Sequence, residues 1–241
     1  MVDINKKIEL LSGKDDWNTV ECTELGINSV RLSDGPHGVR KLKNSSEMTV
    51  SNRKGTEIAT CFPTSSSLAQ TFNKELAYKV GEGIAKECCN LDVDVILGPG
   101  LNIKRNPMCG RNFEYFSEDP FVSGVMATNY VKGVQSLGVG ACVKHFACNN
   151  QETARFINNS IVDERALREI YLAGFEMVVK EAKPYTIMAS YNKLNGKHTT
   201  ENKWLLTDVL RNEWGFDGLV MSDWGATNSR VEGVKAGLDL D

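Results

Sequence analysis

Short, almost uniformly apolar runs alternate with longer amphipathic stretches along most of the chain. Residues 93–97, 140–146, 185–191 and 218–222 read as strands covered on both faces, and 28–32 reads as an earlier one. Between them the spacing predicts helices. A long one over 66–89 places Leu68, Phe72, Leu76, Val80 and Ile84 along a single face. Asp119-Pro120 opens a second to about residue 137, with proline suited to its first turn. Further helices are predicted over 163–183, with acidic residues in its first turn, over 201–214 and over 227–236. Residues 4–11 form a short leading helix, and after a polar stretch over 41–54, Phe62-Pro63-Thr64 closes a short extended piece.

Repeated strand–helix alternation implies an α/β fold with a parallel sheet. Polar residues gather just after the strands: Asp34 and His37, Lys104 and Arg105, Lys144 and His145, Tyr191 and Asn192, Asp223 and Trp224. A barrel collects those ends on one face, and an open doubly wound sheet also binds ligands at strand C-termini. The chain has 241 residues, where such a barrel typically needs about 250. Its last residues, Gly237-Leu238-Asp239-Leu240-Asp241, begin another alternating run and stop, so an incomplete domain is expected.

Composition narrows the partners. Hydrophobic residues at 41% and charged residues at 24% are ordinary for a globular protein, and a net charge of -3 gives no electrostatic reason to expect nucleic acid or an anionic membrane. The first residues lack the apolar stretch of a secretory signal, and no run is long enough to span a bilayer. Seven cysteines, none in a paired metal-ligand spacing, fit reduced and mostly buried thiols in a cytoplasmic protein.

The most telling side chain is Asp223, a carboxylate ending the apolar run Leu219-Val220-Met221. A charge there is costly unless hydrogen-bonded or used. Trp224 beside it offers a flat face on which a sugar ring can rest. The competing role for Asp223 is a helix N-cap. Other polar residues have plain alternatives too: Lys144 as a surface lysine, Arg111 as a partner of Glu114 or Glu118, His145 as a satisfied core histidine. His37, between Pro36 and Gly38, reads as a loop-shaping residue. Asp92 and Asp94 resemble half a metal site without a third ligand, and Gly138 and Gly140 do not make a dinucleotide fingerprint, so no metal or cofactor is expected.

Several motifs in order resemble the N-terminal barrel domain of glycoside hydrolase family 3, chiefly its β-glucosidases. They are Leu32-Ser33-Asp34-Gly35-Pro36-His37-Gly38-Val39-Arg40, the stretch Gly110-Arg111-Asn112-Phe113-Glu114-Tyr115-Phe116-Ser117-Glu118-Asp119-Pro120, and Lys144-His145-Phe146. Asn149-Asn150-Gln151-Glu152, Ser190-Tyr191-Asn192 with Asn195-Gly196, and Met221-Ser222-Asp223-Trp224 complete the series. The resemblance implies a TIM-like (β/α)8 barrel over residues 1–241, incomplete at its C-terminal end, with a second α/β domain downstream. It implies retaining hydrolysis of small β-glucosides or short oligosaccharides through a covalent glycosyl-enzyme. By the same resemblance Asp223 is the nucleophile and Trp224 a stacking aromatic. Asp34, Arg111, Lys144 and His145 hold the sugar's hydroxyls, and Tyr191 sits beside the nucleophile. The residue types suit that work, since an acceptor carboxylate with cationic donors satisfies hydroxyls that both donate and accept.

In the family's N-acetylglucosaminidases the loop after the Lys-His pair carries a further histidine as acid/base. Here that loop, residues 146–152, has none. The resemblance therefore points to the β-glucosidase branch, whose acid/base is a glutamate in the second domain, and to little or no activity for this chain alone. The nearest rivals are a β-xylosidase or α-arabinofuranosidase of the same family. A phosphorylase, a Schiff-base aldolase using Lys144 and a non-catalytic sugar-binding remnant are further alternatives.

Overall fold

All five apolar runs supply strands to one parallel sheet. The computed structural model describes residues 3–43 and 55–241, so most of the predicted polar stretch over 41–54 lies outside the described residues. Strands β1 (Leu32–Asp34), β2 (Val95–Leu97), β3 (Gly140–Phe146), β4 (Thr186–Ala189) and β5 (Leu219–Ser222) are hydrogen-bonded neighbours in sequence order. Each crossover runs through a helix: Lys74–Asn90, Pro120–Gln135, Ala173–Ala182 and the π-wound Trp204–Glu213 in turn. After β5 comes Arg230–Ala236, and Leu240 then bridges Met221 in parallel. A doubly wound sheet reverses strand order at a switch point, and this sheet does not. It is a curled arc of a (β/α)8 barrel.

The two faces of the arc bury different things. Ile96, Ala141, Val143, Ile187 and Val220 pack outward against the helices in the main core. Leu32, Val95, Leu97, Cys142, Met188, Met221 and Leu240 point inward with Trp17, forming a smaller cluster. Burial on both faces explains why these strands read as continuous apolar runs. Cys142 and Cys148 are buried as expected, and all seven cysteines are free.

Helix starts follow local chemistry. Asp119 accepts from the Val122 amide at 2.8 Å with Pro120 following, and Asp163 accepts from the Ala166 amide at 3.0 Å. The helix predicted over 66–89 is divided into Ser65–Ala69 and Lys74–Asn90. Thr71 donates its hydroxyl to the Leu68 carbonyl at 2.7 Å, and Asn73 caps the second helix by accepting from the Leu76 amide at 2.9 Å. These short polar side chains compete with the helix ladder. Phe72 sits between them at φ 49 and is 78% exposed, so it leaves the apolar face it was expected to share. The first strand also starts later than expected, at Leu32. The Thr19 amide bonds the Val30 carbonyl, and Asn18 pairs antiparallel with Arg31, which diverts the residues before it.

Two glycines set how closely the longest helices approach. A Cβ on Gly133 would lie 2.1 Å from the Tyr78 carbonyl oxygen, and one on Gly81 would lie 2.2 Å from that of Tyr130. Backbone atoms cannot yield as a side-chain tip does, so overpacking here forces the helices apart. Gly133→Ala is expected to lower the unfolding free energy by at least about 1–3 kcal/mol, read by chemical denaturation. An unchanged midpoint would contradict the close approach.

Candidate active site

The C-terminal ends of β1, β3 and β5 bring Asp34, Lys144 with His145, and Asp223 to one end of the sheet. Lys144 is 3% exposed, and its ammonium lies 3.3 Å from Asp34 Oδ1 and 3.8 Å from a Glu114 carboxylate oxygen. It is a buried, doubly paired cation rather than a surface lysine. Burial alone would lower its pKa, but Asp34 and Glu114 overcome that and raise it. The ammonium therefore stays protonated, which removes the free amine a Schiff base requires.

Asp34 stands in a tight turn. Gly35 and Gly38 adopt φ 133 and 138, and a Cβ on Gly35 would meet the Gly38 carbonyl oxygen at 1.9 Å. The turn folds Arg40 back, so that its guanidinium lies 3.7 Å from Asp34 Oδ2. Burial pushes the Asp34 carboxyl up, but Lys144 and Arg40 outweigh it and hold the group below its ordinary value. His37 lies outside this set: it accepts from the Ser65 amide at 3.0 Å and shapes the loop, as its neighbours suggested.

Arg111 makes the pairing with Glu114 that was weighed for it. Its Nε donates to Glu114 across a short turn, Asn112–Glu114, and its charge still acts on Asp223. Glu114 itself, 4% exposed, is a member of this charged cluster that the sequence reading weighed only as a partner for Arg111. It binds Arg111 and faces Lys144, so one carboxylate fixes two cations. The available signal was a glutamate three residues from an arginine within a motif otherwise rich in aromatics.

Asp223 is 3% exposed. Its Oδ1 accepts from the Trp224 amide at 2.9 Å, while Oδ2 has no hydrogen-bond partner and lies 3.7 Å from His145 Nε2. The N-cap alternative is excluded, because the next helix, Arg230–Ala236, is capped by Ser229. Burial raises the Asp223 pKa against the opposing pull of Lys144, Arg111 and the neighbouring Tyr191 hydroxyl. Tyr191 is buried, with the Arg155 guanidinium over its ring at 4.4 Å. His145 is buried too, and burial followed by the nearby cations Arg111, Lys144 and Arg155 drives its pKa well below the ordinary value. It is a neutral imidazole.

Trp224 is placed at the rim. It is 38% exposed, packs edge-on to Trp17 at 5.0 Å and donates its indole N–H to the Asp16 carbonyl. It lines a cavity of about 370 Å³ with the inward residues Leu97, Met188 and Met221. A second cavity of about 420 Å³ is lined by Asp34, Arg40, Arg111 and Glu114. The charged groups gather at the second; the first, which Ser222 and Trp224 also line, is the open inner face of the arc, and Asp223 lines neither. Among the described residues no group of three His, Cys, Asp or Glu side chains could hold a metal ion, and no helix is long and apolar enough to cross a membrane. Asp94 serves structure, accepting from the Arg31 amide at 2.7 Å.

Comparison with known proteins places this geometry. The chain is 53% identical over 238 residues to "Thermostable beta-glucosidase B" of Acetivibrio thermocellus, covering 99% of this chain and 31% of that protein. It is 52% identical to "Exo-alpha-(1->6)-L-arabinopyranosidase" of Bifidobacterium longum with the same coverage. β-Glucosidase 3B of Thermotoga neapolitana, solved in complex with α-D-glucose, superposes with a TM-score of 0.92 at 48% identity, over 99% of this chain and 35% of that one. The chain thus spans about a third of the length of these relatives. Residues 29–236 match the profile described as the glycosyl hydrolase family 3 N terminal domain, and the chain belongs to that family.

Proposed function

We propose that this chain carries the nucleophile and the sugar-binding groups of a retaining glycosidase that releases β-D-glucosyl residues. The observation that carries the reading is Asp223: a buried carboxylate with one oxygen tied to the Trp224 amide and the other unbonded, among cations that favour its charge. In this mechanism Oδ2 attacks the anomeric carbon while the bond to the leaving oxygen breaks. A covalent glycosyl-enzyme forms, and water later displaces Asp223 with inversion at each step. Asp34 accepts from sugar hydroxyls, and Arg111, Lys144 and His145 donate to them. Charge-assisted hydrogen bonds of this kind are worth roughly 1.5–3 kcal/mol each. Trp224 supplies a stacking face at the rim.

Retention also needs a proton donor for the leaving oxygen. Asp34, with its lowered pKa and its bonds to Lys144 and Arg40, is an acceptor. Glu114 is taken up by Arg111 and Lys144. By the family resemblance the donor is a glutamate of a second domain, and relatives about three times as long leave room for one. A dinitrophenyl β-glucoside bypasses this need, because its leaving group departs without a proton. This chain is expected to release about one equivalent of dinitrophenolate and then stall, with negligible hydrolysis of cellobiose. Sustained cellobiose turnover by the chain alone would contradict the assignment of the acid.

A second reading is supported by the 52% identity to the arabinopyranosidase. An arabinopyranoside lacks the hydroxymethyl group of glucose, so comparing initial rates on dinitrophenyl glucoside and arabinopyranoside separates the two.

Asp223→Asn is expected to slow dinitrophenolate release by about 10⁴- to 10⁶-fold, the range seen when a catalytic nucleophile or its partner is removed. A variant within tenfold of the parent would reject Asp223. The raised Asp223 pKa also fixes a pH dependence: as pH falls through it, the nucleophile is protonated and glycosylation is lost. The acid limb of the release rate should therefore lie above the ordinary aspartate value of about 4. A limb at or below that value would contradict the burial argument.

A further inference from the structure

Behind His145, on its Nδ1 side, a line of hydrogen bonds has only one self-consistent direction. Glu152 is paired with Arg155 at 3.0 Å, and its other oxygen faces Asn149 Nδ2 at 3.1 Å. A carboxylate paired to a guanidinium only accepts, so Asn149 must turn its NH₂ group toward it. The same Nδ2 lies 3.4 Å from the Tyr115 hydroxyl oxygen and donates its second hydrogen there. Tyr115 is fully buried, and its hydroxyl stands 3.1 Å from His145 Nδ1. With its oxygen accepting from Asn149, the phenol hydrogen is directed to Nδ1. Were Nδ1 the protonated nitrogen instead, the phenol oxygen would accept twice and its own hydrogen would be buried without an acceptor.

The main chain of His145 is fixed as well. Asn102 accepts from its amide at 2.8 Å and donates to its carbonyl at 2.8 Å. The ring can therefore neither flip nor withdraw without breaking this clamp or the bond to Tyr115. Its Nε2 is left facing Asp223 Oδ2 across 3.7 Å, while the Tyr191 hydroxyl approaches the same carboxylate.

We propose that Tyr115 and Asn149 are positioning residues that lock His145 as its Nε2–H tautomer, a one-way hydrogen-bond donor beside Asp223. A ligand hydroxyl entering beside Nε2 must then accept from His145, which leaves its own hydrogen to turn elsewhere, Asp223 Oδ2 included. His145 consequently orients ligand and does not shuttle protons. The charged groups acting on the ring are Arg111, Lys144 and Arg155, with Asp223 opposite them, and the Tyr115 proton is held firmly by burial. Only the ligand step rests on the glycosidase reading.

Nitrogen-15 imidazole spectra of this chain without ligand test the tautomer. The protein has three histidines, and His37→Gln and His198→Gln variants assign the remaining signal. The expected spectrum shows His145 protonated on Nε2 alone, unchanged between about pH 5 and 8. Tyr115→Phe should replace that single tautomer by a mixture. A parent spectrum showing an Nδ1–H ring, or an imidazolium forming within that range, would overturn the proposal. So would a Tyr115→Phe spectrum still purely Nε2–H. If the variant does not fold, the parent spectrum still decides. A wrong tautomer with normal dinitrophenolate release would refute this inference alone; the right tautomer without release would refute only the glycosidase reading.

Discussion

The ammonium of Lys144 lies between two carboxylates, Asp34 at the end of β1 and Glu114 in the turn after β2. The end of β1, the turn after β2 and the end of β3 are joined by that one buried charge, and each partner depends on it. Asp34 is held ionised against its burial, and Asp223, deeper still, has Lys144 first among the charges that favour its ionised form. Glu114 in turn binds Arg111, so a second cation is set in place by the same network. Removing any one member leaves another buried and uncompensated, which is far costlier than losing a surface pair.

Such a cluster costs stability to build, and its position shows why it persists. The β strands carry apolar residues on both faces almost to their ends, and polarity begins only in the last residues, Asp34, Lys144 and His145, and just past β5 at Asp223. Water is thereby excluded from one side of the charges, where electrostatic interactions are strongest. The cations offset the desolvation of Asp223 only in part, so its carboxyl titrates higher than an exposed aspartate. The site combines donors and acceptors in fixed directions, which suits a substrate whose hydroxyls must each be matched.

Much of this was legible in the sequence because strand ends were marked by abrupt changes from apolar to polar residues. Val143-Lys144-His145 and Met221-Ser222-Asp223 place their charges where continuous burial stops, and the family motifs put Asp34 and Arg111 in the same set. What was not legible depends on contacts between distant segments. Glu114 looks in sequence like an ordinary helix-style partner for Arg111; only the fold shows that Lys144 faces it too. Tyr115 and Asn102, from the connection between β2 and β3, and Asn149, just after β3, gather around His145, and no periodicity encodes that approach. The break at Phe72 was hidden for a local reason, because the apolar spacing continues through it while Thr71 and Asn73 redirect the backbone. Trp224 was anticipated as a sugar platform, and its edge-on packing against Trp17 shows what holds the ring at the rim.

The account stands on a single oxygen of residue 223 becoming bonded to sugar carbon. Incubating the chain with 2,4-dinitrophenyl 2-deoxy-2-fluoro-β-glucoside, digesting it and sequencing the modified peptide by mass spectrometry reads that bond directly. The predicted result is one added fluoroglucosyl group, located on Asp223. A label on a different side chain would contradict the account.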